Sequence, residues 1–108
     1  QHLAGALDRL FTYARGELLN DQQKIEIRAE GTPAPASELI ERAYQTIDRA
    51  VEQLRSTSAN SLFDKREVGR AKLPATVIGL LFHGAEHTTR HVGQLVTTVK
   101  VVSGSRSL

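Results

Sequence analysis

The chain has 108 residues, 40% of them hydrophobic and 5% aromatic, with a net charge of +2 and no cysteine. That length makes one domain or most of one, and the lack of cysteine excludes disulfides, thiolate catalysis and cysteine-type zinc sites, leaving His, Asp and Glu as ligands. The basic residues Arg66, Arg70, Lys72, Arg90, Lys100 and Arg106 are too scattered for a duplex-binding stripe, no run approaches the ~20 apolar residues of a membrane span, and no signal-peptide pattern is visible, so a cytoplasmic protein without a nucleic-acid or membrane partner is expected.

A first helix is predicted from residue 1 to Glu17 or Leu19, with Leu3, Leu7, Leu10, Ala14 and Leu18 at helical spacing. The polar stretch from Asn20 to Glu30, with isolated Ile25 and Ile27, suits one short helix. Gly31-Thr32-Pro33-Ala34-Pro35-Ala36 is a loop. Ser37 is placed as the N-cap of the next helix, with Glu38 and Glu41 complementing its dipole and Ile40, Ala43, Ile47, Ala50, Val51 and Leu54 as its buried stripe. Ser56 to Lys72 reads as an irregular connection interrupted by Gly69.

Pro74 suits the first turn of a long last helix that continues to Val102, before Ser103-Gly104-Ser105 ends it. On its wheel Val77, Ile78, Leu81, Ala85, Val92, Leu95, Val96 and Val99 share an arc of about 100°. Glu86, Thr89, Arg90, Thr97 and Lys100 take the solvent side. The architecture expected is an all-α, up-and-down bundle. The chain opens on Gln1-His2-Leu3, already helical in pattern and without a methionine, so residues 1–108 are expected to be one N-terminally incomplete domain. Its apolar stripes call for a further helix or a partner subunit, and a homodimer is favoured.

His83, His87 and His91 recur at four-residue spacing and flank the apolar stripe, with His91 nearest the core and His83 farthest. Residues i and i+4 differ by about 40° around a helix and lie about 6 Å apart, which lets two imidazoles converge on one cation at ~2.0–2.1 Å. His83 and His91 are separated by ~12 Å of helix rise, so a compact site would use two neighbours from this helix and a ligand from another. His2 is the remaining histidine, and Ala6, Arg9 and Tyr13 project on its side of the first helix. If the helices pack side by side, His2 could face the His87/His91 pair, with Arg9 or Tyr13 lining the cavity.

Gln1-His2-Leu3-Ala4-Gly5-Ala6-Leu7-Asp8-Arg9-Leu10, followed by Thr12-Tyr13-Ala14-Arg15-Gly16, resembles the second-helix signature of the DinB/YfiT-like proteins. In that family a His-Leu-Ala-Gly type of segment carries one metal ligand. The stretch Val68-Gly69-Arg70-Ala71-Lys72-Leu73-Pro74-Ala75-Thr76-Val77, leading into Glu86-His87-Thr88-Thr89-Arg90-His91-Val92-Gly93-Gln94, is similar to the family's last-helix signature. There a His-x-x-x-His-x-Gly-Gln run supplies the other two ligands. The resemblance implies a four-helix-type bundle of which the first helix is missing here, and it marks His2, His87 and His91 as the metal triad. His83 would sit at the rim or behind a ligand, Gly93 would admit a neighbouring helix, and Gln94 would hydrogen-bond near the site.

The function implied is metal-dependent chemistry on a small molecule. A divalent transition ion (zinc, nickel or iron) would activate water or a thiol for transfer, isomerisation or hydrolysis. The thiol would be a low-molecular-weight cosubstrate, because this chain has none. The alternative is a non-enzymatic helical dimerisation or interaction module whose metal is structural or absent. Glu86, the one acidic residue beside the histidines, is expected to point outward.

Overall fold

The structure, a computed structural model, describes residues 1–107 and the side chains of residues 1–104; the side chain of Arg106 and the terminal Leu108 lie outside the described residues. Four helices and a small two-stranded sheet follow one another: α1 (His2–Ala14), α2 (Asp21–Ala29), α3 (Ala36–Ser56), a 3-10 turn (Ala59–Ser61), β1 (Lys65–Val68), β2 (Leu73–Thr76) and α4 (Val77–Ser107). The all-α expectation therefore holds, with the hairpin as its one addition.

Each helix has a local reason for its ends. α1 stops at Ala14, short of the expected Glu17 or Leu19, because Gly16 adopts φ +80. Gly16 N–H then donates to Tyr13 O and Glu17 N–H to Thr12 O, the paired bonds of a Schellman end. Leu18, counted in the sequence as part of the α1 stripe, is consequently 87% exposed. α2 opens with a capping box, in which Asn20 Oδ1 accepts from Gln23 N–H and Gln23 Oε1 from Asn20 N–H. The expected cap at Ser37 is replaced by Pro35, without a side-chain bond, and the helix starts at Ala36.

Residues 65–76, read in the sequence as irregular chain and a helix start, form an antiparallel hairpin pairing Lys65 with Thr76 and Val68 with Leu73. Gly69 at φ +71 and Lys72 at φ +50 turn the chain between the strands. Pro74 therefore lies in β2 opposite Glu67, tolerated because both strands of a two-stranded ribbon are edges. α4 starts at Val77, where Thr76 Oγ1 accepts from Gly79 N–H and the N–H groups of Val77 and Ile78 donate to Asp64 O and Leu62 O. It runs through Ser103-Gly104-Ser105 to Ser107.

The core gathers Leu7, Phe11 and Ala14 of α1, Ala50 of α3, and Val77, Leu80 and Leu81 of α4. α1 runs antiparallel to α4, because Phe11 meets Gly84 while His2 meets His87 and His91. The α4 face turned to α1 carries Val77, Leu80, Leu81, Gly84, His87, Thr88 and His91, all buried or half-buried. This differs from the arc expected on the wheel: Ile78, Val92, Leu95, Val96 and Val99 of that arc stay substantially exposed. Past His91 the helix continues for roughly 24 Å, beyond the N-terminal end of α1. The radius of gyration is accordingly 15.8 Å, against ~13 Å for a compact chain of this size.

The close approach of α1 and α4 rests on Gly84, not on Gly93. A Cβ at Gly84 would fall 2.9 Å from Phe11 Cε1 and 3.2 Å from Leu7 Cδ1, whereas one at Gly93 would meet nothing within 4 Å. The two glycines should therefore answer alanine with opposite signs. Overpacking at Gly84→Ala should cost about 1–3 kcal/mol, more than the ~0.5–1 kcal/mol that a helical glycine forfeits; Gly93→Ala should gain that smaller amount. Urea unfolding measures both, and a Gly84→Ala protein at least as stable as wild type would refute the close packing.

Candidate metal centre

His2 lies in the first turn of α1, and His87 and His91 lie one turn apart on the α1-facing side of α4. The antiparallel packing brings one ring nitrogen from each to within 4.8 Å of the others. The His2 ring centroid is 5.5 Å from those of both His87 and His91, and the latter two are 4.3 Å apart. The closest atoms are His87 Nε2 and His91 Nε2 at 3.0 Å.

The outward nitrogens have partners. His2 Nδ1 is 3.2 Å from Glu30 Oε2, and His91 Nδ1 is 2.8 Å from Gln94 Oε1. A carboxylate and an amide oxygen only accept, so each imidazole places a proton on Nδ1, and in the neutral ring Nε2 is the free acceptor. Because two bare lone pairs repel at 3.0 Å, His87 donates from Nε2 to His91 when no cation lies between them. Burial, and then the neighbouring His91, His2, His83 and Arg90 charges, hold the His87 pKa below its ordinary 6.5. The ring is thus neutral at pH 7, and moving its one proton to Nδ1 bares Nε2 for a cation. This donor set fits a metal ion: the contact between the α4 pair lies near the ~3.3 Å expected between ligands of a tetrahedral ion, and two of three imidazoles are already oriented from behind.

The other candidates divide. Gln94 holds His91, as described. His83 is exposed and outside the group of three, its ring tilted at 44° and 5.9 Å from that of His87. Arg9 reaches the site through Glu30, donating from Nη1 to Oε1 at 2.8 Å. Tyr13 does not line the centre. It packs against the hydrophobic core, ~16 Å of helix rise from His2, because the side of α1 it shares with His2 runs into the core as the helix descends. Glu86 is exposed and held by both carboxylate oxygens to Arg90 Nη2 at 2.7 Å, and that bond keeps its carboxyl below the ordinary range. Thr88, between the two α4 histidines, has the one buried side-chain oxygen without a hydrogen-bond partner among the described residues.

Glu30 has no precedent among the sequence candidates. It ends α2, and its carboxylate also borders a cavity of about 240 Å³ between α1, α2 and α3 that includes Asp8, Glu26, Arg42 and Arg49 in its wall. Burial raises the Glu30 pKa, but the hydrogen bonds and charges of Arg9 and His2 outweigh it and hold the group below 4.5. Nothing periodic in the sequence links Glu30 to His2; the only signal was an acidic residue just before a Gly-Thr-Pro turn.

This geometry accompanies a family match: the model of the DinB superfamily covers residues 1–95, and the chain belongs to that superfamily. No curated protein and no solved structure matches it. Among the described residues no helix is long and apolar enough to cross a membrane.

The depressed His87 value fixes a pH response. Above pH 6.5 the ring is neutral in both folded and unfolded chains, so its stabilisation of the fold is fully present; as pH falls, the unfolded chain takes up the proton first and stability is lost until the folded value is passed. Glu30 acts lower, losing its contribution only below its ordinary 4.5. Metal-free protein should melt at lower temperature at about pH 5.5 than at about pH 7.5, and His87→Gln should narrow that difference. An unchanged difference in the variant would contradict the assignment.

Proposed function

We propose that this chain is a cytoplasmic metal-dependent enzyme acting on a small molecule, in which His2, His87 and His91 hold a divalent transition ion: zinc, nickel or iron. The observation that carries this reading is the convergence of three imidazoles from two antiparallel helices, with the outer nitrogens of two of them already engaged by Glu30 and Gln94. The cluster carries a cost that a cation would relieve, because burial and the neighbouring rings disfavour protonation of His87. Three protein ligands leave a position for a substrate or water, as catalytic sites do and closed structural sites do not.

A bound ion would supply Lewis acidity there, lowering the pKa of a water or of a low-molecular-weight thiol. The chain's own part is orientation. Gln94 and Glu30 select the tautomers of His91 and His2, and Arg9 keeps Glu30 ionised. Glu86 serves as no base in this reading, since Arg90 occupies both its oxygens. A small electrophile attacked by the activated thiol or water is the substrate class that fits a site this exposed, and transfer, isomerisation and hydrolysis all begin with that attack.

A second reading has its own observation. Phe82 (71% exposed), Leu95 (63%) and Val99 (54%) lie on α4 faces that nothing in the fold covers, as in a helical module that associates with a second copy of itself. Elemental analysis separates the two. Protein prepared without a metal-affinity step should carry close to one equivalent of a transition metal, and His2→Ala, His87→Ala and His91→Ala should each retain about tenfold less or lower. A folded wild type without metal would sink the enzymatic reading and leave the association module, for which light scattering should then give a dimer.

A further inference from the structure

We propose that Glu30 is the positioning residue for His2, and that position 5 is a glycine in order to admit it. This rests on the metal reading for its purpose, but not for its geometry. α1 and α2 are fastened at two ends. At one, the buried Gln23 donates from Nε2 to Asp8 Oδ2 and to Thr12 Oγ1, each at 2.8 Å. At the other, the Gln1 side chain grips the turn after Glu30, accepting from Gly31 N–H at 2.6 Å and donating to Thr32 O at 2.8 Å. Between these fastenings the Glu30 carboxylate is laid across α1, with Oε1 on Arg9 and Oε2 on His2.

That path crosses Gly5. A Cβ there would lie 2.6 Å from Glu30 Oε1 and 2.9 Å from Arg9 Nη1, so the carboxylate and guanidinium occupy the volume a side chain would take. Gly5 has no turn or positive φ to explain it: it sits inside a regular helix, where glycine is a poor choice. The notch is what remains as its reason. The Arg9 contact also divides the work at the carboxylate. With Oε1 committed to the guanidinium, Oε2 is left as a pure acceptor for His2 Nδ1–H, which bares His2 Nε2 toward His87 and His91. A tie between helices needs only the Arg9 bond; the His2 bond adds the choice of tautomer.

The two roles are separated by Glu30→Gln and Gly5→Ala. In Glu30→Gln the amide oxygen stays with Arg9 and the NH2 group turns to His2, which must then accept at Nδ1 and carry its proton on Nε2. In Gly5→Ala the added methyl displaces the carboxylate, although alanine favours the helix itself. Long-range 1H–15N spectra of the zinc-free proteins read the His2 tautomer directly, and competition with a chromophoric chelator reads affinity for Zn2+. Wild type should show Nδ1–H, both variants should shift to Nε2–H, and Zn2+ affinity should fall about 10- to 100-fold in each, with helical content by circular dichroism unchanged. Retention of Nδ1–H in the variants, or a tautomer shift with wild-type Zn2+ affinity, overturns the proposal while leaving the triad standing. If wild type takes up no Zn2+, the metal reading fails on its own, and the tautomers alone decide whether Glu30 positions His2.

Discussion

The contact between Phe11 and Gly84 sets everything else in this molecule. A glycine on α4 lets an aromatic ring on α1 lie directly against helix backbone, and the resulting short interaxial distance is what allows side chains as short as histidine to meet across the two helices. Were the helices a further few ångströms apart, as larger residues at the contact require, His2 would fall out of reach of His87 and His91. α1 is also the hub for the remaining elements. It receives α2 through Gln23, α3 through the Gln53 amide on Phe11 O, and the hairpin through Arg66 on Ala14 O. Thirteen residues thus carry one histidine of the cluster, one side of the core and hydrogen bonds to α2, α3 and the hairpin.

The polar groups around the histidines form a graded set. The ion pair of Arg9 and Glu30 has side chains 18% and 22% exposed; His87 and His91 are half-buried like it, and His2 is exposed. Charge is therefore kept in place by a partner where water is scarce, and left to solvent where it is plentiful.

Much of this was legible in the residues, for identifiable reasons. The three long helices announce themselves by 3.6-residue periodicity, though their ends do not: the first was expected to reach Glu17 or Leu19 and the last to run from Pro74 to Val102, against Ala14 and Val77–Ser107. The pairing of His87 with His91 follows from helix geometry alone. The hairpin did not, because strands of four residues are too short to establish an alternation and Pro74 mimics a helix start. The inward face of α4 was misplaced for a related reason. Val92, Leu95, Val96 and Val99 dominate any count of apolar residues, yet they lie beyond the reach of α1, whereas Gly84 and Thr88 lie within it and carry no hydrophobic weight. Gly93 was credited with the role that Gly84 plays, since a glycine declares that space is needed but not which neighbour needs it. Glu30 was invisible because its partners come from another helix, where only the fold can bring them.

The three histidines are far apart in sequence, at position 2 and positions 87 and 91. A cation held by all of them would tie the first turn of α1 to the middle of α4, closing a long loop between residues 2 and 87, the kind of cross-link whose entropic leverage on the unfolded chain is large. Occupancy and folding then become one equilibrium. An ion at a hundred times its dissociation constant adds about 2.7 kcal/mol to the folded state, a sizeable fraction of the roughly 5–15 kcal/mol by which domains are stable. If such an ion is bound, a cell starved of it would lose the folded protein itself, making abundance a readout of metal supply.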